Sequence, residues 1–210
     1  MLDNILSVPV LTGRLGVRLP PGLPPPKLVE PCPGPGPQSD SCWLWPDLAE
    51  LRIQQEGESC YQLEWRVRGL AVVEDCLDIG EAHWYGGPEE RVQHFPMRRE
   101  NSRSRVAFLP GDMINDGQKY FGGVAEPVWI TSKGAGLTVE TEQPLFYSWN
   151  EENSDSLCLS TQHTEPYQLR ADTVQLSYTI CASQNALTTF KLMAGTFWKL
   201  PSGIPDEKVS

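Results

Sequence analysis

From Thr173 to Cys181 the chain reads TVQLSYTIC. Val174, Leu176, Tyr178 and Ile180 alternate strictly with Thr173, Gln175, Ser177 and Thr179. A period of two sends successive side chains to opposite faces, so this stretch is a strand with one buried face. The same pattern recurs at Cys60 to Val67, where Tyr61, Leu63, Trp65 and Val67 face one way and Gln62, Glu64 and Arg66 the other. LAVVEDCLDI follows Gly69 as a further strand candidate, and PVWITSKGAGLTVET reads as two strands joined by a tight turn at Ser132 to Gly136. LFYSWN, SLCLST and TTFKLMAG complete the series, and no amphipathic helix longer than two turns is expected. With 19 prolines and 18 glycines among 210 residues, many short strands joined by turns are favoured over long helices. The predicted fold is all-β, a β-sandwich of many antiparallel strands.

Leu19 to Pro37, LPPGLPPPKLVEPCPGPGP, blocks helix and ladder hydrogen bonding alike and is expected to be extended or disordered. This gives a disordered Pro/Gly-rich segment over 1–40, a β-sandwich over 41–205 and the start of a junction over 206–210.

The formal net charge of −10 repels phosphate backbones and anionic lipid, so nucleic acid is not an expected partner. No apolar run approaches the ~20 residues of a membrane span. The N-terminus, with Asp3 and Pro9 inside its apolar part, does not read as a signal peptide. Six cysteines permit three disulfides in an oxidising compartment, and no C-x-x-C or N-x-[ST] pattern occurs. Cys60 and Cys76 lie on consecutive strand candidates, as do Cys158 and Cys181, and at least one of these pairs is predicted to bridge. His83, His94 and His163 are not at metal-ligand spacing, so neither a metal nor a cofactor is expected.

No signature of a serine hydrolase, zinc protease or P-loop enzyme is present. The acids Glu89, Glu90, Glu151, Glu152 and Asp155 lie in turn-like stretches, with nothing to bring two of them into one cleft. Met97 to Arg105 holds four arginines that can grip an anion or simply form a solvated loop. Gly80 to Gly87 is the densest feature. Its Glu81, His83, Trp84 and Tyr85 can bond sugar hydroxyls and stack on sugar faces, or can pack a corner of the sandwich.

The segment CLDIGEAHWYGG, Cys76 to Gly87, resembles the N-terminal region of glycoside hydrolase family 31 proteins, closest to the subgroup of the myogenesis-regulating glycosidase and the SITS-binding protein. Ala125 to Gly134, Pro144 to Tyr147 and Phe190 to Glu207 agree with the same family in the same order. The resemblance implies a β-sandwich that flanks a (β/α)₈ barrel, in which two aspartates act by a retaining mechanism on α-glycosides. It implies that Glu81, His83, Trp84 and Tyr85 approach the substrate on a loop at the active-site rim, beside an exposed apolar face and the C-terminal exit after Leu200. It also suggests a secretory-pathway lumen or extracellular location, with a parent that can be membrane-anchored. A barrel needs about 250 residues. These 210 residues are therefore read as a fragment or truncated product, inactive by itself, with the barrel as its partner and a carbohydrate as candidate ligand. The alternative is an independent module that binds a glycan or a protein. Trp45 to Glu50 fits the pattern W-x-D-x-x-E around the family's nucleophile, but it follows the proline-rich segment. It is read as a short helical turn with Asp47 as N-cap.

Overall fold

A computed structural model of the chain describes residues 2–8, 11–18, 27–29, 32, 41–68, 72–112, 121–162, 164–167 and 173–198. The strands are β1 (Leu2–Val8), β2 (Leu11–Arg18), β3 (Lys27–Val29), β4 (Ser41–Trp45), β5 (Ala49–Glu56), β6 (Cys60–Arg68) and β7 (Val72–Asp78), followed by β8 (Trp84–Pro88), β9 (Arg103–Ala107), β10 (Ala125–Thr131), β11 (Ala135–Val139), β12 (Phe146–Trp149), β13 (Ser156–Thr161) and β14 (Thr173–Ala182). They form two antiparallel sheets, one of six strands in the order β1-β2-β7-β13-β12-β9 and one of eight in the order β3-β4-β5-β6-β14-β11-β10-β8.

The alternation read from the sequence sets the packing. In β6, Leu63, Trp65 and Val67 are fully buried, and β14 presents Tyr178, Leu176 and Val174 directly opposite them. From the other sheet, Val73, Leu77, Leu157, Leu159, Tyr147 and Trp149 close the core. Burying one large apolar side chain of this kind contributes about 1.5–3 kcal/mol. One inward position breaks the pattern. Asp75 of β7 is wholly buried among these residues, where its carboxylate accepts hydrogen bonds from Trp65 Nε1 at 2.8 Å and from the Tyr178 hydroxyl at 2.8 Å. Because Asp75 belongs to one sheet and its donors to the other, the contact ties the two layers together.

The cysteine expectation is overturned in its partners. Cys60 bridges Cys181, Cys76 bridges Cys158, and Cys32 bridges Cys42. Consecutive strands β6 and β7 lie in different sheets, as do β13 and β14. The cysteines that meet are instead those directly opposite in the register of hydrogen-bonded neighbours, Cys181 with Cys60 and Cys158 with Cys76.

TTFKLMAG is not a strand. Ala186–Phe197 is a helix, α1, begun by a reciprocal cap in which Asn185 Oδ1 accepts from Thr188 N at 3.1 Å and Thr188 Oγ1 accepts from Asn185 N at 3.2 Å. Its buried face, with Thr189 and Met193 one turn apart, packs outside the eight-stranded sheet over Cys60 and Cys181. Gly136 admits it, because a Cβ there would stand 2.3 Å from Met193 Sδ.

The first 40 residues hold more structure than expected. Strand β2 pairs with β7, β1 pairs with β2, and β3 pairs with β4, so hydrogen bonding along the edge of β7 is continued. The rest of the proline-rich stretch, and the junction at 206–210, lie outside the described residues. Asp47 is not a helix N-cap. It occupies the two-strand turn between β4 and β5 with φ 60°, a left-handed position that aspartate tolerates better than most residues.

Candidate functional site

After β7 the chain turns at Gly80, whose φ is +57°, and runs along the end of the eight-stranded sheet. His83 N donates to Ser132 Oγ at 3.0 Å and Ser132 N donates to the His83 carbonyl at 2.8 Å, which pins this stretch to the β10–β11 turn. Lys133 of that turn stands 3.9 Å from the Glu81 carboxylate, both largely in solvent. From Trp84 onward the chain is strand β8, not a loop, with Trp84 opposite Thr131, Tyr85 opposite Ile130 and Gly86 opposite Trp129.

That register separates the two aromatics. Tyr85 faces out and is 37% exposed, whereas Trp84 faces in and is 1% exposed. Trp84 lies edge-on to Trp149 at 6.0 Å and donates its indole N–H to the Ile79 carbonyl at 3.0 Å. The expectation that Trp84 sits on a rim loop is therefore corrected, since alternation along β8 puts it in the core. Glu81, His83 and Tyr85 remain accessible. The C-terminal exit lies outside the described residues.

The paired glycines after Tyr85 serve packing. A Cβ on Gly87 would stand 2.6 Å from Trp129 Nε1, and one on Gly86 would stand 2.2 Å from the Val128 carbonyl oxygen. Both also have positive φ, +79° at Gly87. Gly87→Ala is expected to lower stability by about 1–3 kcal/mol, through overpacking and backbone strain. The control is Gly123→Ala, where an added Cβ meets nothing within 4 Å. Urea unfolding of the two variants checks this, and equal midpoints would show that the fit against Trp129 is not tight.

Beside Gly86 and Pro88 a cleft opens that the sequence did not announce. Tyr147 and Trp149 of β12 line its inner side, and Glu90, His94, Met97 and Asn101 of the β8–β9 connection line its outer side. That connection is held in place, with Met97 N donating to the Trp84 carbonyl at 2.7 Å and Trp149 Nε1 donating to the Arg98 carbonyl at 3.0 Å. The enclosed part of the cleft is about 30 Å³ and the open hollow around it about 360 Å³. Partial burial raises the Glu90 carboxyl above its ordinary range, and the Arg103 charge opposes that shift. Burial pushes the Tyr147 hydroxyl well up, and the Glu90 charge adds to the effect while Arg103 again opposes it. Tyr147 on β12 and Glu90 in the β8–β9 connection are far apart in sequence, so no spacing rule joins them.

The arginine run divides: residues 98–102 form an exposed loop, as the solvated reading expects, whereas Arg103 and Arg105 lie half-buried in β9. Arg99 pairs with Asp155 at 2.8 Å, the Arg103 guanidinium lies 5.0 Å from the Phe121 ring centroid, and the Arg105 guanidinium lies 4.2 Å from that of Phe146. Among the described residues no three His, Cys, Asp or Glu side chains converge as metal ligands would, and no helix is long and apolar enough to cross a membrane. His163 lies outside the described residues.

Three comparisons place this arrangement. The family described as the myogenesis-regulating glycosidase N-terminal domain matches residues 48–182. The myogenesis-regulating glycosidase of Mus musculus is 30% identical over 153 residues, which is 70% of this chain and 21% of that protein. The SITS-binding protein of Tetronarce californica is 29% identical over 150 residues, 69% of this chain and 20% of that protein. The chain thus spans about a fifth of the length of these relatives. Among solved structures, a GH31 family sulfoquinovosidase from E. rectale shares the fold with a TM-score of 0.56 at 12% identity, over 92% of this chain and 30% of that one. With the two-sheet architecture and a match over more than half of its length, the chain belongs to the family of the myogenesis-regulating glycosidase N-terminal domain.

Proposed function

We propose that the chain is a non-catalytic N-terminal β-sandwich that flanks the catalytic (β/α)₈ barrel of an α-glycosidase-like protein, and that Glu81, His83 and Tyr85 stand at the rim of that barrel's active site. One observation carries the reading. The family match is to an N-terminal domain, and about four fifths of each relative's length lies beyond the matched region. The chemistry of the three side chains supports the rim role. A phenol ring offers a face for a sugar, and a carboxylate and an imidazole offer partners for hydroxyls. Retaining hydrolysis needs two carboxyl groups about 5–5.5 Å apart across one cleft. The cleft beside Gly86 is lined by a single carboxyl, that of Glu90. Three disulfides favour an oxidising compartment, in keeping with a lumenal or extracellular location.

Incubated with aryl α-glucosides and α-galactosides, the purified chain is expected to give no turnover. Turnover abolished by Asp47→Ala or by Glu90→Gln would overturn the non-catalytic role. In the whole protein, Tyr85→Ala is expected to lower kcat/KM about tenfold, the effect of losing one stacked contact of about 1.4 kcal/mol. An unchanged kcat/KM would remove Tyr85 from the rim.

A further inference from the structure

Helix α1 covers the outer face of the eight-stranded sheet at the Cys60 and Cys181 end of β6 and β14. At the other end of those two strands, beside the β4–β5 turn, a hollow of about 380 Å³ opens. That volume lies within the range of small-molecule pockets, about 300–1,000 Å³. The strand register explains its walls. Leu44, Glu50 and Arg66 stand in one row across β4, β5 and β6, on the side of the sheet away from the core. Arg68 and Thr173 form the next outward row, at the ends of their strands. The turn between β4 and β5 supplies a further wall, and two backbone bonds hold it. Leu48 N donates to the Trp45 carbonyl at 3.1 Å, and Arg68 N donates to the Leu48 carbonyl at 2.9 Å. All six residues from Trp45 to Glu50, the stretch that fits W-x-D-x-x-E, line this hollow.

The charges of the lining define the occupant. Two acidic and two basic side chains are present. Arg66 is already paired with Glu64 at 2.7 Å, and Glu50 with Arg52 at 3.3 Å. Arg68 and Asp47 are exposed, and among the described residues neither side chain has a partner. The Arg68–Leu48 backbone bond brings their positions together across the turn, yet the two do not pair with each other. An anion alone would be repelled by Asp47, and a cation alone by Arg68. A molecule that carries both charges suits both. A carboxylate matches the guanidinium fork, and an ammonium matches a carboxylate. Leu44, Trp45 and Leu48 add an apolar surface beside them. We propose that this hollow binds a free α-amino acid with an apolar side chain, its carboxylate on Arg68 and its ammonium on Asp47. The site is distinct from Glu81, His83 and Tyr85 and does not rest on the reading of the domain as the flank of a barrel.

The test titrates the isotope-labelled chain with L-leucine and L-phenylalanine and follows the backbone amide signals of Leu48 and Arg68. The expected result is a saturable shift with at least one of them at millimolar concentration. N-acetyl-L-leucine lacks the ammonium and L-leucinamide lacks the carboxylate. Each is expected to bind about tenfold more weakly than leucine, the effect of one lost charged hydrogen bond. Arg68→Gln and Asp47→Asn should each weaken leucine binding by about the same factor. Asparagine accepts the left-handed φ of position 47, so the turn is kept. Lys191→Gln, exposed on α1, should leave binding unchanged. If one variant at the hollow unfolds, the other variant and the two analogues carry the test. The proposal is overturned by the absence of a saturable shift with either amino acid up to about 100 mM. It is also overturned by an analogue that binds as tightly as leucine, or by full affinity in a folded Arg68→Gln or Asp47→Asn chain. The barrel-flank reading stands or falls on turnover, which this titration does not measure.

Discussion

Asp75→Ala is expected to lower the unfolding free energy by about 2–4 kcal/mol, because it orphans two buried donors and leaves a small cavity. Trp65 Nε1 and the Tyr178 hydroxyl both end on Asp75 Oδ2 at 2.8 Å, and all three residues are excluded from water. Tyr178 shows how closely the two groups are coupled. Burial pushes its hydroxyl well above the ordinary value, and the Asp75 charge and hydrogen bond push it further. Its native state therefore holds the proton more tightly than the unfolded chain. The associated stability is complete below about pH 10 and is lost as pH rises towards the native value. The donors, rather than the missing charge, should set the size of the Asp75 effect. Asp75→Leu should destabilise, and adding Tyr178→Phe should restore part of the loss by removing one orphan, so the two changes are non-additive. Urea unfolding of the single and double variants measures this. A loss under about 1 kcal/mol in Asp75→Ala would mean that other groups or water replace the carboxylate readily.

Removing the Cys60–Cys181 bridge, as Cys60→Ala with Cys181→Ala, is expected to cost about 4 kcal/mol. The two cysteines are 121 residues apart, and a free loop of that length would predict nearly 5 kcal/mol by chain entropy. The inner bridge, Cys76–Cys158, already ties off 82 of those residues and leaves roughly forty to be closed. Deleting both bridges should therefore cost more than deleting either one, and the chain should then fail to hold its fold at 37 °C. Denaturant midpoints of the single-bridge and double-bridge variants, with intact mass confirming the remaining disulfides, check the order. A loss below about 1 kcal/mol for the outer bridge would point to residual structure that already confines the unfolded chain.

What the sequence made legible follows from which faces are buried. Strand β6 alternates cleanly because it buries one face more deeply along most of its length, whereas β14, although it alternates in sequence, is buried on both faces from Leu176 to Cys181, where Cys181 packs against Met193 of α1. Strand β8 is not legible in this way, because its two glycines read as a loop. Their actual reason, the Trp129 indole lying against them, comes from a strand about forty positions away. The inward turn of Trp84 was hidden for the same reason, since only the register with β10 decides which aromatic faces in. Helix α1 was missed because Thr188, Thr189 and Phe190 favour strands by composition, although the Asn185 and Thr188 spacing was a usable start signal. Cysteine pairing depended on which strands share a sheet, and that is a property of topology alone. Of the site, the exposed positions Glu81, His83 and Tyr85 could be named from residue type. The Tyr147 cleft depends on a long-range approach that leaves no local pattern.

The position of β14 also orders the assembly of the chain in time. It is the last strand in sequence, yet it lies in the middle of its sheet, between β6 and β11. Strands β3 to β6 can form an early four-stranded piece, but the strands beyond the gap cannot join them until β14 arrives. A nascent chain growing from its N-terminus therefore exposes the open edges of both pieces until synthesis of the domain is almost complete. During that interval Cys60 and Cys76 wait as thiols for partners not yet made, while Cys32 can already find Cys42. Premature oxidation of Cys60 with Cys76 would join two strands that belong to opposite layers. Productive maturation thus calls for thiol exchange that keeps those two cysteines reversible until the final strand closes the sheet.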